Sequence, residues 1–246
     1  MAAIDPDSHK ARDDPSQQLK LHEITGSRVY RRLGAKLHYY LEVDSTNKQA
    51  RELAESGALE GEIVIAEQQT RGRGRLGRSW LSPPFLNLYF SIILRPKLPP
   101  AHAAQITLMA AVALADTVAR FAPDPPAIKW PNDILLRGKK LAGILTESSI
   151  TAERVNYVIL GLGVNLNFPH ALMPDVIRQH ATSLMECAGK TVSREAFLGR
   201  LIHDLDRCYG ILGEAGFDAI APQWEARFNF HGRRVRVEMG DEALAG

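Results

Sequence analysis

The sequence predicts a globular protein that combines β-strands and α-helices in one large domain, or in one large and one small domain. The chain has 246 residues, 45% hydrophobic and 24% charged, which is typical of an ordinary soluble protein. Apolar segments rich in β-branched and aromatic residues, such as 87–95 (NLYFSIILR), predict strands, whereas 103–121 is a long apolar helix. The net charge of +2 indicates no overall attraction to nucleic acid or membranes.

The first elements surround a strand-to-helix turn. Residues 1–27 are polar and lack the apolar core of a signal peptide, so we expect a disordered tail. Residues 37–43 (LHYYLEV) predict a strand, and a helix follows as far as Gly57. Residues 45–47 (Ser-Thr-Asn) stand between them, where they either cap the helix or face a pocket.

The most distinctive segment is RGRGRLGRSW, residues 71–80, which we call the flap. Glycine permits close approach of backbone N–H groups to a ligand, and arginine donates in a fork to phosphate or carboxylate oxygens. The glycines match the dinucleotide fingerprint, but prolines follow where that motif needs a helix. The flap also nearly matches a P-loop, with Arg78 in place of the required lysine. We interpret it as a mobile lid over an anion rather than a solvated basic loop.

The strands after the flap carry further polar residues. A short strand at 62–67 precedes the flap, and the apolar segments 128–136 and 141–148 predict a β-hairpin through Arg137-Gly138. A buried strand is expected at 155–167. The hairpin contains charged and amide side chains, which indicate either an internal ion pair or a binding site.

The last part of the chain predicts a loop at 168–190, helices at 193–212 and 217–228, and a closing β-hairpin. Two cysteines, too few for a disulfide framework or a zinc site, favour a reducing cytoplasm. The helix at 103–121 could span a membrane by length alone, but its interruptions favour a place in the core.

Five motifs in order resemble those of the biotin–protein ligases, also called biotin–[acetyl-CoA-carboxylase] ligases. They are EVDSTN (42–47), AEQQTRGRGRLGRSW (66–80), KWPND (129–133), KLAGIL (140–145) and GLGVNLN (161–167). The resemblance covers about residues 37–239. It implies an α+β catalytic domain at 28–230, a class II synthetase-like mixed sheet with helices on one face. It further implies that 231–246 begin a small SH3-like β domain, cut after its first strands.

The resemblance also implies an activity. Biotin and ATP with Mg²⁺ would give biotinyl-5′-AMP, and the biotin would pass to a lysine of a biotin carboxyl carrier domain. The family's bifunctional members have an N-terminal DNA-binding domain that we do not find here, so no DNA partner is expected. No membrane partner is expected either, and a homodimer stays open.

The resemblance assigns roles to individual residues. Catalytic groups would be Lys140, Arg73 and Arg75. Biotin and its adenylate would contact Ser45, Thr46, Asn47, Gln69, Gly72, Arg73, Gly74, Arg75, Trp80, Lys140 and Gly143. The nucleotide would contact Lys129, Asn132, Asp133 and Asn165, with Mg²⁺ held by ATP near Asp133 rather than in a fixed protein site.

Two other functions stay open. A lipoate or octanoate ligase or transferase would share the fold and the carrier-lysine chemistry, although the flap sequence is that of the biotin enzymes. A non-catalytic biotin-binding remnant would fit the short C-terminal β segment.

Overall fold

A computed structural model describes residues 15–25, 32–230, 232, 234, 236–239 and 242–245. The helices are α1 (Leu21–Thr25), α2 (Thr46–Glu55), α3 (Gln105–Phe121), α4 (Asp175–Arg178), α5 (Leu184–Ala188), α6 (Arg194–Ala215) and α7 (Ala221–Glu225). The strands are β1 (Leu37–Val43), β2 (Ile63–Gln69), β3 (Leu88–Leu94), β4 (Ala127–Lys129), β5 (Asp133–Leu136), β6 (Lys139–Ile150), β7 (Val155–Val164), β8 (Arg236–Met239) and β9 (Glu242–Ala245).

A mixed seven-stranded sheet forms the centre of the molecule. Its strand order is β1-β2-β3-β7-β6-β5-β4. Strands β1 and β2 run parallel, and every other neighbouring pair in this sheet is antiparallel. The mixed α+β fold predicted from the sequence is therefore confirmed.

Helices cover both faces of the sheet. Because successive side chains of a strand point to opposite faces, Ile63 and Ile65 enter the main core with α3 and α6, whereas Val64 packs with Ala50 and Ala54 of α2. The expectation of helices on one face holds for the two long helices. Helix α2 departs from it because its small alanines fit closely against the other side of β2, β3 and β7.

Helix α3 belongs to the core. The stretch Pro100–Phe121 is long and apolar enough to cross a membrane by length and composition. However, ten residues of α3 are buried, and the helix packs against α6 and the sheet. This supports the interpretation of the stretch as a core helix.

The predicted disordered tail is wrong for residues 15–25. A short 3-10 helix and α1 occupy this segment, and Leu19 and Ile24 are buried in the main core. The backbone N–H of Leu19 donates to buried Glu67 at 2.9 Å, and Arg194 donates to the Gln17 carbonyl at 2.6 Å. Two apolar side chains and two anchored backbone groups therefore order a segment whose overall composition is polar. Residues 1–14, 26 and 27 lie outside the described residues.

The later predictions hold in part. The segment predicted as a loop contains α4 and α5, and Ser183 caps α5 by accepting from the Glu186 N–H. The helix predicted at 217–228 is shorter, since a 3-10 turn at Phe217–Ala219 precedes α7. Strands β8 and β9 pair antiparallel in a sheet of their own, as expected for a hairpin. Its assignment to an SH3-like domain stays a prediction.

The burial of Cys208 leads to a test of the core. Cys208 is a residue of α6 whose side chain is buried in the core, and burial raises the pKa of its thiol to about 11. Since the thiolate is the reactive form, iodoacetamide at pH 8 should modify Cys208 of the folded protein about 100-fold more slowly than a free thiol. Peptide mass spectrometry with and without guanidinium measures this ratio. Equal rates in both samples would contradict the burial.

Candidate active site

A cavity of about 1130 Å³ opens at one end of the sheet. Its walls come from the N-terminus of α2, the flap, β5, and the glycine-rich parts of β6 and β7. Phe228, Phe230 and Arg234 close one side, where Phe228 bridges to Ile128 of β4. Thirteen of the fifteen site residues expected from the sequence line this cavity; Gly72 and Asn165 do not.

A hydrogen-bonded chain forms the polar end of the cavity. The Gln69 Oε1 accepts from the Thr46 backbone N–H at 2.9 Å and from its hydroxyl at 3.1 Å. Gln69 Nε2 donates to Ser82 Oγ, and Ser82 donates to the Trp80 carbonyl. On the other side, Ser91 donates to Thr46 Oγ1 at 2.8 Å. The chain links the core strand β3, the start of α2 and the flap.

The turn at residues 45–47 is buried and does not act as a simple helix cap. Ser45 occupies the N-cap position of α2, but its side chain makes no capping hydrogen bond. The Asn47 Oδ1 lies 2.7 Å from Ser91 Oγ, and Asn47 Nδ2 donates to Glu147 at 2.8 Å and to the Leu145 carbonyl at 3.3 Å. The Asn47 amide therefore holds protein groups in place around the cavity.

The flap folds back on itself as a small hairpin. Arg73 bridges antiparallel to Ser79, and the Gly74 N–H donates to the Arg78 carbonyl at 2.6 Å. At the tip, Leu76 has φ 54° and is 88% exposed. Gly72, near the start of the flap, is buried, and a Cβ there would lie 2.4 Å from the Trp80 carbonyl oxygen. Only glycine fits this close backbone approach.

The indole of Trp80 lies on two glycines of the sheet. Gly143 and Gly163 are paired across β6 and β7. A Cβ on Gly163 would lie 2.5 Å from Trp80 Cε2, and one on Gly143 would lie 3.1 Å from Cζ3. The indole Nε1 is buried, and no residue in the described part of the chain accepts a hydrogen bond from it. The two glycines thus provide a flat floor that accepts a ring.

Lys140 is one of the cations that line the cavity. Its Nζ lies 2.7 Å from Asp133 Oδ1 and 5.4 Å from the centroid of the Trp80 ring. The backbone of Lys140 is fixed on both sides, because its N–H donates to the His180 carbonyl and its carbonyl accepts from the Thr182 N–H. A charged amine on a rigid strand is therefore held between a carboxylate and an aromatic face.

The residues expected at the nucleotide divide into two groups. Lys129, Asn132 and Asp133 line the cavity, and Asn132 is held by donating from Nδ2 to the Ile144 carbonyl at 2.8 Å. Asn165 instead donates to the Thr182 carbonyl at 3.1 Å, outside the cavity. It braces the segment that supports Lys140, which the sequence alone did not indicate.

Residues 40–165 match the Biotin/lipoate A/B protein ligase family. The biotin–[acetyl-CoA-carboxylase] ligase of Paracoccus denitrificans is 41% identical over 192 residues, which cover 75% of this chain and 77% of that protein. The chain belongs to the biotin/lipoate A/B protein ligase family.

Two further members of the ligase family are similar to this chain. The bifunctional ligase/repressor BirA of Bacillus subtilis is 40% identical over 79% of the chain, and the match spans 60% of the length of BirA. The biotin protein ligase from Aquifex aeolicus, solved in complex with biotin and ATP, superposes with a TM-score of 0.74 at 30% identity. That match covers 87% of this chain and 86% of the Aquifex chain.

Sequence motifs missed three residues of this ligase family site. Ser91 and Ser82 complete the hydrogen-bonded chain. Glu147 accepts hydrogen bonds from Asn47, Arg51 and Arg73. Ser91 is a polar residue inside the apolar strand β3, fully buried, and this interruption of the hydrophobic pattern was an available signal. Glu147 carried no such signal, because its partners are 74 to 100 positions away along the chain.

The glycine floor gives a direct test of the ligase family site. We expect Gly163→Ala to weaken ligand binding in this cavity about tenfold or more, because the added methyl must displace the indole from a close-packed floor. Isothermal titration with biotin, which is bound in the Aquifex aeolicus ligase structure, measures this change. Gly210→Ala, on α6, is the matched control, since the nearest atom to its Cβ would be Arg32 Nη1 at 3.7 Å. Unchanged affinity in the Gly163 variant would contradict the assignment of this floor.

Proposed function

We propose that the chain is an ATP-dependent biotin–protein ligase. A carboxylate oxygen of biotin attacks the α-phosphorus of ATP, which forms biotinyl-5′-AMP and releases pyrophosphate. The ε-amine of a lysine on a biotin carboxyl carrier domain then attacks the acyl carbon, loses a proton, and releases AMP. The single observation that carries the proposal is one cavity that joins a ring floor, a polar end, a lysine and an arginine flap.

The neutral part of the cavity suits the biotin rings. The Trp80 indole, which lies on Gly143 and Gly163, would supply an apolar wall for the flat bicycle, and the neighbouring chain from Ser91 to Ser82 supplies buried hydrogen-bonding groups. A ureido group needs such partners, since an unpaired polar group inside a pocket is costly. The Aquifex aeolicus ligase, solved in complex with biotin and ATP, supports biotin as the ligand.

The cations suit two anions that must approach each other. A carboxylate and a triphosphate repel, so a preorganised positive charge at the reacting oxygens lowers the barrier. Lys140 provides this charge as a compact ammonium on a fixed strand. Arg73 and Arg75 of the flap also line the cavity and would cover the acyl phosphate.

Magnesium would enter with ATP. Asp133 Oδ1 is paired with Lys140 Nζ at 2.7 Å, and this carboxylate would also fit as one oxygen ligand of Mg²⁺. Among the described residues no group of three or more histidine, cysteine, aspartate or glutamate side chains could hold a metal. We therefore propose that the phosphates supply most ligands, and that the ion neutralises their charge.

The flap would protect the adenylate from water. Its hairpin is held to itself and to the Ser82–Gln69 chain, while its tip at Leu76 is exposed and can move as a lid. Exclusion of water matters because a mixed anhydride hydrolyses in solvent.

For localisation we propose a reducing cytoplasm, which is supported by two buried free cysteines.

The test uses purified protein with ATP, Mg²⁺, labelled biotin and a carrier domain. Pyrophosphate release that requires biotin, followed by label on a single carrier lysine, is the expected result. Lipoate in place of biotin is the control for the related ligases of the family. Turnover of lipoate alone, or biotin binding without pyrophosphate release, would overturn the proposal.

A further inference from the structure

Asp44 connects the end of β1 to the buried turn that begins α2. Its Oδ1 accepts from the backbone N–H of Ser45 at 2.7 Å, and its backbone carbonyl accepts from the Arg71 N–H at 2.8 Å. The Asp44 carbonyl and the Ser45 N–H belong to one planar peptide group. That peptide group is therefore held at both of its polar ends.

The carboxylate of Asp44 is itself held by Lys48. Its Oδ2 lies 2.6 Å from Lys48 Nζ, one turn along α2. The hydrogen bond from Lys48 holds the pKa of the Asp44 carboxyl below its ordinary value. At neutral pH the group is ionised and acts only as an acceptor, which suits its contact with a backbone N–H.

These contacts explain why Ser45 does not cap α2 with its side chain. A serine at the N-cap usually accepts, through its hydroxyl, from the backbone N–H two or three residues later. Ser45 makes no such bond, and its backbone is extended with φ −160° and ψ 132°. The first N–H of the helix, that of Thr46, donates to Gln69 instead. The Ser45 hydroxyl is thus kept out of the helix start, in a residue that lines the cavity and is 4% exposed.

We propose that Asp44 is a positioning residue, which fixes the peptide group before Ser45 and so keeps the Ser45 hydroxyl for a ligand in the cavity. The proposal rests on the proposed function only for the identity of that ligand, biotin. Without the Asp44 contact the peptide group can rotate, and the hydroxyl can turn to the N–H of Asn47 or Lys48, the usual partners of an N-cap serine. The ligand would then lose one hydrogen bond.

Two substitutions separate the position of the Asp44 oxygen from its charge. Asp44→Asn keeps an acceptor within reach of the Ser45 N–H and removes the charge, whereas Asp44→Glu keeps the charge and displaces the oxygens by one methylene. Isothermal titration should show a Kd for biotin about three- to tenfold higher in Asp44→Glu and Asp44→Ala, the effect of one neutral hydrogen bond. In Asp44→Asn the Kd should stay within about twofold of the parent. Asp44→Glu carries the test if Asp44→Ala does not fold.

Lys48→Gln is the matched control for these variants. It breaks the ion pair of Asp44 with a lysine whose side chain is 52% exposed, and it leaves the contact between Asp44 and the Ser45 N–H in place. The Kd should therefore stay within about twofold of the parent. An increase as large as that of Asp44→Glu would mean that the ion pair is the important contact and would overturn the proposal.

A double-variant cycle shows whether Asp44 acts through Ser45. Ser45→Ala alone should raise the Kd about three- to tenfold, and adding it to Asp44→Glu should change nothing further. A merely structural role of Asp44 would multiply the two factors. Multiplied factors, a parental Kd in Asp44→Glu, or equal losses in Asp44→Asn and Asp44→Glu would overturn the proposal.

Crystal structures read the position of the Ser45 hydroxyl without any ligand. In Asp44→Glu it should lie within hydrogen-bond distance of the Asn47 or Lys48 N–H, and in the parent and Asp44→Asn it should not. An unmoved hydroxyl in Asp44→Glu would overturn the proposal. Failure of the parent to bind biotin would instead count against the proposed function, and the crystal structures would still decide the role of Asp44.

Discussion

Lys140→Ala is expected to lower the rate of adenylate formation by about 100-fold or more, the scale of one lost electrostatic contact in a transition state. The side chain is 36% exposed and faces Asp133, so its loss removes charge from the cavity and little packing from the core. Biotin-dependent exchange of pyrophosphate into ATP measures the rate. The free energy of unfolding should change by less than about 1 kcal/mol.

Lys139→Ala is the matched control for this prediction. Lys139 is the preceding residue of β6, so its side chain points to the opposite face of the strand and does not line the cavity. Its replacement should leave exchange within about twofold of the parent, in line with a surface substitution. Normal exchange in Lys140→Ala would refute the catalytic role, and an unfolded variant would make the lysine structural.

Arg194→Met is expected to destabilise the protein by about 3–5 kcal/mol, the range for breaking a buried ion pair by removing one partner. Arg194 donates from Nη2 to Glu67 Oε1 at 3.2 Å and from Nη1 to Oε2, and the Glu67 side chain is fully buried. Tyr39 and the Leu19 N–H also donate to this carboxylate. With methionine at this position, the negative charge of Glu67 would stay inside the core without its arginine. Urea denaturation measures the resulting loss in the free energy of unfolding.

Two controls separate this effect from simple loss of packing. Replacing Glu67 by glutamine together with Arg194→Met removes the orphaned charge, so part of the stability should return. Arg207→Gln breaks a half-exposed pair with Asp116, which keeps Arg227 at 2.6 Å, and should cost at most about 1 kcal/mol. A loss below 1 kcal/mol for Arg194→Met would show that the buried pair contributes no more than an exposed one.

The sequence predicted the elements whose signals are local. The strand at Leu37–Val43 was predicted with its observed bounds, and the hairpin turn at Arg137-Gly138 has the positive φ values of 52° and 76° that such turns need. Motif order also collected most of the cavity residues, because four of the five motifs include the end of a strand and the fifth, KLAGIL, lies in the first half of β6. Their roles in the reaction stay predictions.

Contacts between distant segments could not be predicted in this way. The segment 15–25 is ordered by Glu67 and Arg194, residues 48 to 177 positions away, and nothing in its own composition shows this. Asn165 was expected at the nucleotide from the family resemblance, and its amide could serve either a ligand or the backbone. The structure shows that it serves the backbone.

Gln69 offers a ligand only one kind of hydrogen bond. An amide oxygen has two lone pairs, and both of those on Oε1 are occupied by Thr46. Nε2 uses one of its two hydrogens on Ser82, which leaves a single N–H for a ligand. In the proposed ligase, this part of the cavity would therefore accept a carbonyl oxygen or a ring nitrogen lone pair and would disfavour a hydrogen-bond donor in the same place. A ligand analogue with its carbonyl exchanged for an amine would meet two opposed hydrogens there.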